Sequence, residues 1–145
     1  MLKHFQVPDD IAVRVDVDKL RRTTEQVFMK CGVPEEDARL GADVLMFADE
    51  SGIDTHGVSN MLRSYVTGYG AETINPEPNM TIVKETPSTA VVDGDAGLGL
   101  MIAPQAMDIA INKARDVGTG VVAVRNSGHL GAAGYHAMRA ARQDM

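Results

Sequence analysis

The chain changes its hydrophobic period near its midpoint. In the first half apolar residues recur at helical spacing. Leu20, Val27, Phe28 and Cys31 fall on one face, and Ala38, Ala42, Leu45 and Ala48 form a second stripe. Asp16 or Asp18 can cap the first helix and Gly32 can end it. Pro34 followed by Glu35, Glu36 and Asp37 restarts the pattern, since proline suits a first helical turn and acids suit its positive end. Two helices with so tight a link predict an antiparallel hairpin. Residues 51–59 break the pattern, and a third helix is expected over about residues 60–70. A short strand is expected at 12–15, Ala-Val-Arg-Val.

Asn75-Pro76-Glu77-Pro78-Asn79 is the best internal boundary, because two prolines discourage continued helix. It divides a helical domain, 1–76, from an α/β domain, 77–145. Beyond it, Met80–Lys84 and Thr89–Asp93 read as strands joined by a turn at Pro87-Ser88. Ala103–Val117 reads as a helix with Pro104 near its start and Gly118 after its end. Val121–Val124, continuously apolar, reads as a buried strand. A small-residue helix follows and runs to Arg142–Met145 without a stop signal. The class is α+β. About three strands are fewer than the ~5–6 of an average sheet, so the second domain is expected to be incomplete, with further strands in the natural protein or in a partner.

Composition narrows the partners. With 14 basic against 20 acidic residues the net charge is −6, and no basic stripe stands out. That argues against nucleic acid and anionic membrane surfaces. A small anionic substrate remains compatible, since a local pocket can oppose the net charge. Aromatics are 4% and Trp is absent, so the nine Met residues supply part of the core. A single cysteine, Cys31, allows no internal disulfide and reads as a buried thiol in a reducing compartment. Met1–Asp10 has neither a secretory nor a transit pattern, and no apolar run reaches membrane-spanning length, so a cytoplasmic protein is the default.

The candidate chemistry sits in two loops. His129 lies in Asn126-Ser-Gly-His-Leu-Gly-Ala-Ala-Gly-Tyr135, between a strand end and a helix start, where helix N–H groups favour negative charge and an imidazole can move a proton near neutral pH. His56 lies in Asp54-Thr55-His56-Gly57, with Asp54 near enough in sequence to orient it. His4 and His136 read as surface or partly packed residues, and the four histidines make no metal-binding spacing. Gly97-Leu98-Gly99 lacks the third glycine of a dinucleotide loop and reads as a flexible connector. Ser127, beside His129, could pair with it and Asp54 as a nucleophilic triad. No Gly-x-Ser-x-Gly elbow is present, and Ser127 reads better as a hydrogen-bonding loop residue. Arg63 could hold a carboxylate, although spacing alone favours an exposed helix arginine.

From about Val15 onward the chain resembles the malate/L-lactate dehydrogenase family, the NAD(P)-dependent 2-hydroxyacid oxidoreductases that do not use the Rossmann fold. The likeness is carried in order by Gly32-Val-Pro-Glu-Glu-Asp-Ala38, Asp54-Thr-His-Gly-Val58, Val92-Asp-Gly-Asp95 with Gly97-Leu-Gly99, and Val124-Arg-Asn-Ser-Gly-His129 with Gly131-Ala-Ala-Gly-Tyr135. That family includes sulfolactate, ureidoglycolate and diketogulonate oxidoreductases and reductases of cyclic imino acids. The resemblance implies hydride transfer between NAD or NADP and a small 2-hydroxy or 2-keto acid, a cytoplasmic homodimer, and a mainly antiparallel sheet joined to a helical domain. It makes His129 and His56 the active-site pair, His129 the favoured proton group. It sets Asn60 where the family carries an arginine, with Arg63 the nearest replacement, and Ser127 beside the substrate. Most cofactor-contacting segments of the family lie beyond residue 145. The competing readings are a non-catalytic fragment or assembly module that binds a partner along an open sheet edge, and, more weakly, a cofactor-free hydrolase.

Overall fold

A computed structural model describes residues 10–145; His4 and the rest of the N-terminal segment through Asp9 lie outside the described residues. The elements are α1 (Val17–Lys30), α2 (Glu35–Glu50), a short 3₁₀ turn (Asp54–His56), α3 (Val58–Gly70), β1 (Thr81–Glu85), β2 (Thr89–Gly97), α4 (Gly99–Val117), β3 (Val121–Ser127) and α5 (Ala133–Ala141).

Local signals account for the helical half. Asp16 caps α1, its Oδ1 accepting the Lys19 N–H at 2.9 Å. Phe28 and Thr24 are buried on α1, and the Thr24 hydroxyl is satisfied by the Leu20 carbonyl. Cys31 is half-buried against the core. Ala38, Ala42, Leu45 and Ala48 are fully buried on α2, and Gly41 brings α2 close to Phe28 and Met101. Arg21, early in α1, pairs with Asp43 (2.7 Å) and Glu50 (3.4 Å), late in α2, as an antiparallel hairpin requires.

No strand forms at 12–15. Ile11, Val13 and Val15 are exposed, because a strand needs a neighbour for its backbone groups and among the described residues none lies beside this segment. β1 and β2 form an antiparallel hairpin, while β2 and β3 are parallel, with α4 as the crossover. These three strands therefore make a mixed sheet. α4 starts at Gly99, four residues before the expected Ala103, and Pro104 falls in its second turn. Burial of Leu100, Met101 and Ile102 outweighs the one backbone bond that Pro104 cannot donate. β3 is not buried: Val121 is 60% and Val124 40% exposed, because β3 ends the strand order and among the described residues β2 alone flanks it.

One buried cluster takes residues from both sides of Pro76, including Phe28, Leu45 and Tyr65 from the helical half and Leu98, Met101 and Tyr135 from the other. Asn75 ties the linker to the end of β2: its N–H bonds the Ala96 carbonyl (3.0 Å) and its side chain the Asp95 carboxylate (3.0 Å). The packing of α2 against α4 and α5 brings the loops after α2 and β3 together.

Candidate active site

His56 and His129, 73 positions apart in sequence (129 minus 56), lie with their rings stacked, centroids 5.4 Å apart and planes at 26°. His56 lies one residue before the cap of α3 and His129 three residues before the cap of α5, and each is held differently.

The His56 turn is held by side chains. Asp49, near the end of α2, accepts the Val58 N–H at 3.0 Å and so serves the start of α3, whose cap, Gly57, has no side chain to offer. A Cβ on Gly57 would lie 1.6 Å from Asp49 Oδ1, so glycine is what lets the carboxylate reach the helix. Burial pushes the Asp49 carboxyl above its ordinary value, against the Val58 hydrogen bond, with Asp54 and Glu50 adding to the rise. The Asn60 amide donates to the Asp54 carbonyl at 2.6 Å and closes the turn. The partner of His56 Nδ1 is Thr55 Oγ1, at 2.8 Å. The Asp54 carboxylate, expected in that role from sequence proximity, makes no bond to the ring among the described residues, and its backbone carbonyl is what the turn uses.

The His129 loop is held by side chains at its root and by backbone packing further on. Asp93 anchors its root, accepting from Asn126 Nδ2 (2.9 Å), Arg125 Nε (2.9 Å) and the Asp95 N–H (3.0 Å). Those contacts, led by Asn126, hold the Asp93 carboxyl below its ordinary value. Asn126 itself has a left-handed φ of 50°. Ser127 Oγ donates to the Gly97 carbonyl (3.1 Å), and Gly128 N–H bonds the same carbonyl (3.0 Å). A Cβ on Gly99 would stand 2.5 Å from the Gly128 oxygen and 2.8 Å from the His129 carbonyl carbon. Gly97-Leu98-Gly99 is therefore a packed seat for the histidine loop, correcting the flexible-connector expectation.

His129 Nδ1 lies 2.8 Å from Tyr65 Oη and 3.3 Å from the Gly131 nitrogen, which donates to it. Partial burial, and then the charge of His56, hold the His129 imidazole below its ordinary value. Tyr65 is 4% exposed on α3, and burial pushes its hydroxyl up to about 12, so it stays protonated and able to donate. Sequence reasoning missed Tyr65. It fits the apolar stripe of α3 with Val58 and Tyr69, and its one distinguishing signal is that a buried tyrosine hydroxyl needs a partner.

The remaining candidates separate. Asn60 and Ser127 each spend one bond on a backbone carbonyl. Arg63 is exposed on α3 and makes no ion pair among the described residues. Ser127 donates to Gly97 and His129 bonds Tyr65, so no Ser127–His129–Asp54 triad is connected. His136 is buried rather than superficial, 9% exposed, with Nε2 donating to the Leu130 carbonyl at 2.9 Å. The first turn of α5 packs it beneath the loop. Among the described residues no three His, Cys, Asp or Glu side chains converge as a metal site, and no helix is long and apolar enough to cross a membrane.

The family model for malate/L-lactate dehydrogenase matches residues 15–145. The chain belongs to the malate/L-lactate dehydrogenase family. The L-sulfolactate dehydrogenase of Methanocaldococcus jannaschii is 50% identical over 119 residues, covering 82% of this chain and 34% of that protein. The malate dehydrogenase of Pyrococcus abyssi is 47% identical over 137 residues, covering 94% and 38%. The structure of malate dehydrogenase from Pyrococcus horikoshii superimposes with a TM-score of 0.92 at 43% identity, covering 97% of this chain and 40% of that one. The chain thus spans 34 to 38% of the length of these two curated relatives. The family's named dehydrogenases imply a nicotinamide cofactor. The glycine-rich turn between β2 and α4 is packed against the Gly128–His129 backbone and is closed to its phosphates.

Proposed function

We propose that this chain is part of an oxidoreductase that moves a hydride between NAD or NADP and a small 2-hydroxy or 2-keto acid, as a cytoplasmic homodimer. The observation that carries the reading is the stacked pair of His56 and His129, brought together from two helix starts. The nicotinamide supplies the hydride chemistry; this chain supplies the groups that meet the substrate oxygen and its proton. Arg63 is the exposed cation on α3 for the substrate carboxylate. Asn60 and Ser127 retain hydrogen-bonding capacity beyond the bond each makes. The boundary at Pro76 then separates a helical domain carrying His56 from the domain carrying His129.

The test is steady-state turnover of 2-keto acids with NADH or NADPH by the full-length enzyme of which this chain is part. His129→Gln and His56→Gln are each expected to lower kcat/KM by ~10²–10⁴ while leaving the fold intact. Turnover unchanged in both variants overturns the assignment. The open edge of β3 favours a second reading, an assembly module that acts only with further strands bound there. Concentration-dependent self-association without any binding of NADH or NADPH supports that reading instead.

A further inference from the structure

The hydrogen bonds around His129 contain information about where its proton sits. A backbone N–H can only donate, and the Gly131 N–H is directed at Nδ1. Nδ1 must therefore present its lone pair. Tyr65 Oη, 2.8 Å from the same nitrogen, is then the nearer of two donors sharing the one lone pair of Nδ1, because two lone pairs cannot face one another at that distance. A neutral imidazole carries one proton, and with Nδ1 accepting, that proton is on Nε2. Nothing holds His56 in the same way. Its Nδ1 faces the Thr55 hydroxyl, which can donate or accept.

We propose that Tyr65 and the Gly131 N–H hold His129 as a neutral Nε2–H imidazole that donates a hydrogen bond to the substrate oxygen, and that the proton moved in the reaction is carried by His56. This rests on the oxidoreductase reading and divides its two histidines into different roles. An Nε2 that already bears hydrogen has no lone pair with which to take a hydroxyl proton. His129 could act as that base only if the Tyr65 hydroxyl turned to accept and the Gly131 bond broke. In oxidation of a 2-hydroxy acid, the substrate O–H bond breaks and an N–H bond forms on a ring nitrogen of His56. The C2–H bond breaks with its hydride leaving to the oxidised nicotinamide, which is thereby reduced, and the pair freed from the O–H bond becomes the second bond of the carbonyl; the Nε2–H of His129 meets the charge that grows on the oxygen between the two events. Reduction is the reverse. A neutral imidazole donating to a reacting oxygen is a known electrophilic role. Tyr65 is then a positioning residue acting through His129.

Among the described residues the titratable groups against the His129 ring are Tyr65 from α3 and His56 from the turn before it; Asp49 at the end of α2 and Asp54 in the His56 turn are charged groups of the segment that carries His56, and they act on one another. A second proton on the pair would set like charges on rings 5.4 Å apart, which disfavours double protonation.

The experiment is ¹⁵N NMR of the imidazole nitrogens in this chain, assigned with single His→Gln variants, over about pH 5 to 8. It needs no turnover, so its failure is separable from failure of the oxidoreductase reading. The expected wild-type result is a single His129 tautomer, with Nδ1 unprotonated and Nε2 protonated, that persists below the ordinary imidazole midpoint of about 6.5. Tyr65→Phe keeps the buried ring and removes the donor, and is expected to give a mixture with measurable Nδ1–H. A purely structural role for Tyr65 leaves the tautomer ratio unmoved in this variant and overturns its assignment. A wild-type His129 that carries hydrogen on Nδ1 overturns the division of roles.

Discussion

The two histidines both precede a helix, His56 by one residue before the cap of α3 and His129 by three before the cap of α5, and their loops are secured differently. The His56 turn depends on side chains, Asp49 reaching the Val58 N–H and Asn60 reaching the Asp54 carbonyl. The His129 loop adds backbone contact to its Asp93 anchor, with Gly99 pressed against Gly128 and the Gly97 carbonyl taking the Ser127 hydroxyl and the Gly128 N–H. A side chain can yield by a rotamer change; packed backbone cannot. The first loop should tolerate perturbation in steps, and the second should fail together with the packing of α4 against β3.

The strongest way to break this contrast is Gly99→Ala. The new methyl meets backbone atoms of Gly128 and His129, so α4 and the loop must part, at a cost of about 1–3 kcal/mol in unfolding free energy. Chemical denaturation measures it, and a neutral result removes the idea of a rigid backbone seat. Next is Asp49→Ala, which leaves the Val58 N–H without its acceptor and should cost about 0.5–2 kcal/mol. Gly57→Ala displaces the same carboxylate, so the double variant should be less destabilised than the sum of the singles. Additive costs would show that the two residues act separately. Asn60→Ala, losing one exposed hydrogen bond, should cost about 0.5–1 kcal/mol.

The smallest effect is in pH. His129 has its folded-state value held below the ordinary one, so the unfolded chain binds its proton more readily. The stability this contributes is present above about pH 6.5 and is lost as pH falls from there through the lower folded value. His129→Gln should flatten that part of the denaturation midpoint against pH. An unchanged slope assigns it to other groups.

The comparison also shows which features could be read early. The α1–α2 hairpin was legible because its signals are local: a cap at Asp16, a proline-acid restart at Pro34, and an alanine stripe that buries fully. The β1–β2 hairpin and both histidine loops were legible for the same reason. Val121–Val124 misled because apolar content reports a preference for burial, and burial itself depends on which strand lies alongside. Residues 12–15 misled in the same way. Pro104 marked a helix start four residues late, since the burial of Leu100 to Ile102 is a tertiary matter.

The sequence by itself determined the period of each element, the helix limits set by caps and prolines, the family motifs and the two histidines, because each depends on neighbours a few residues away. Only the tertiary structure decided that His56 and His129 stack, that Tyr65 and Gly131 share one nitrogen of His129, and that Asp49 serves a helix it does not belong to. Those contacts join α2, α3 and the loop after β3, and their geometry depends on how packed elements meet, which no local spacing encodes.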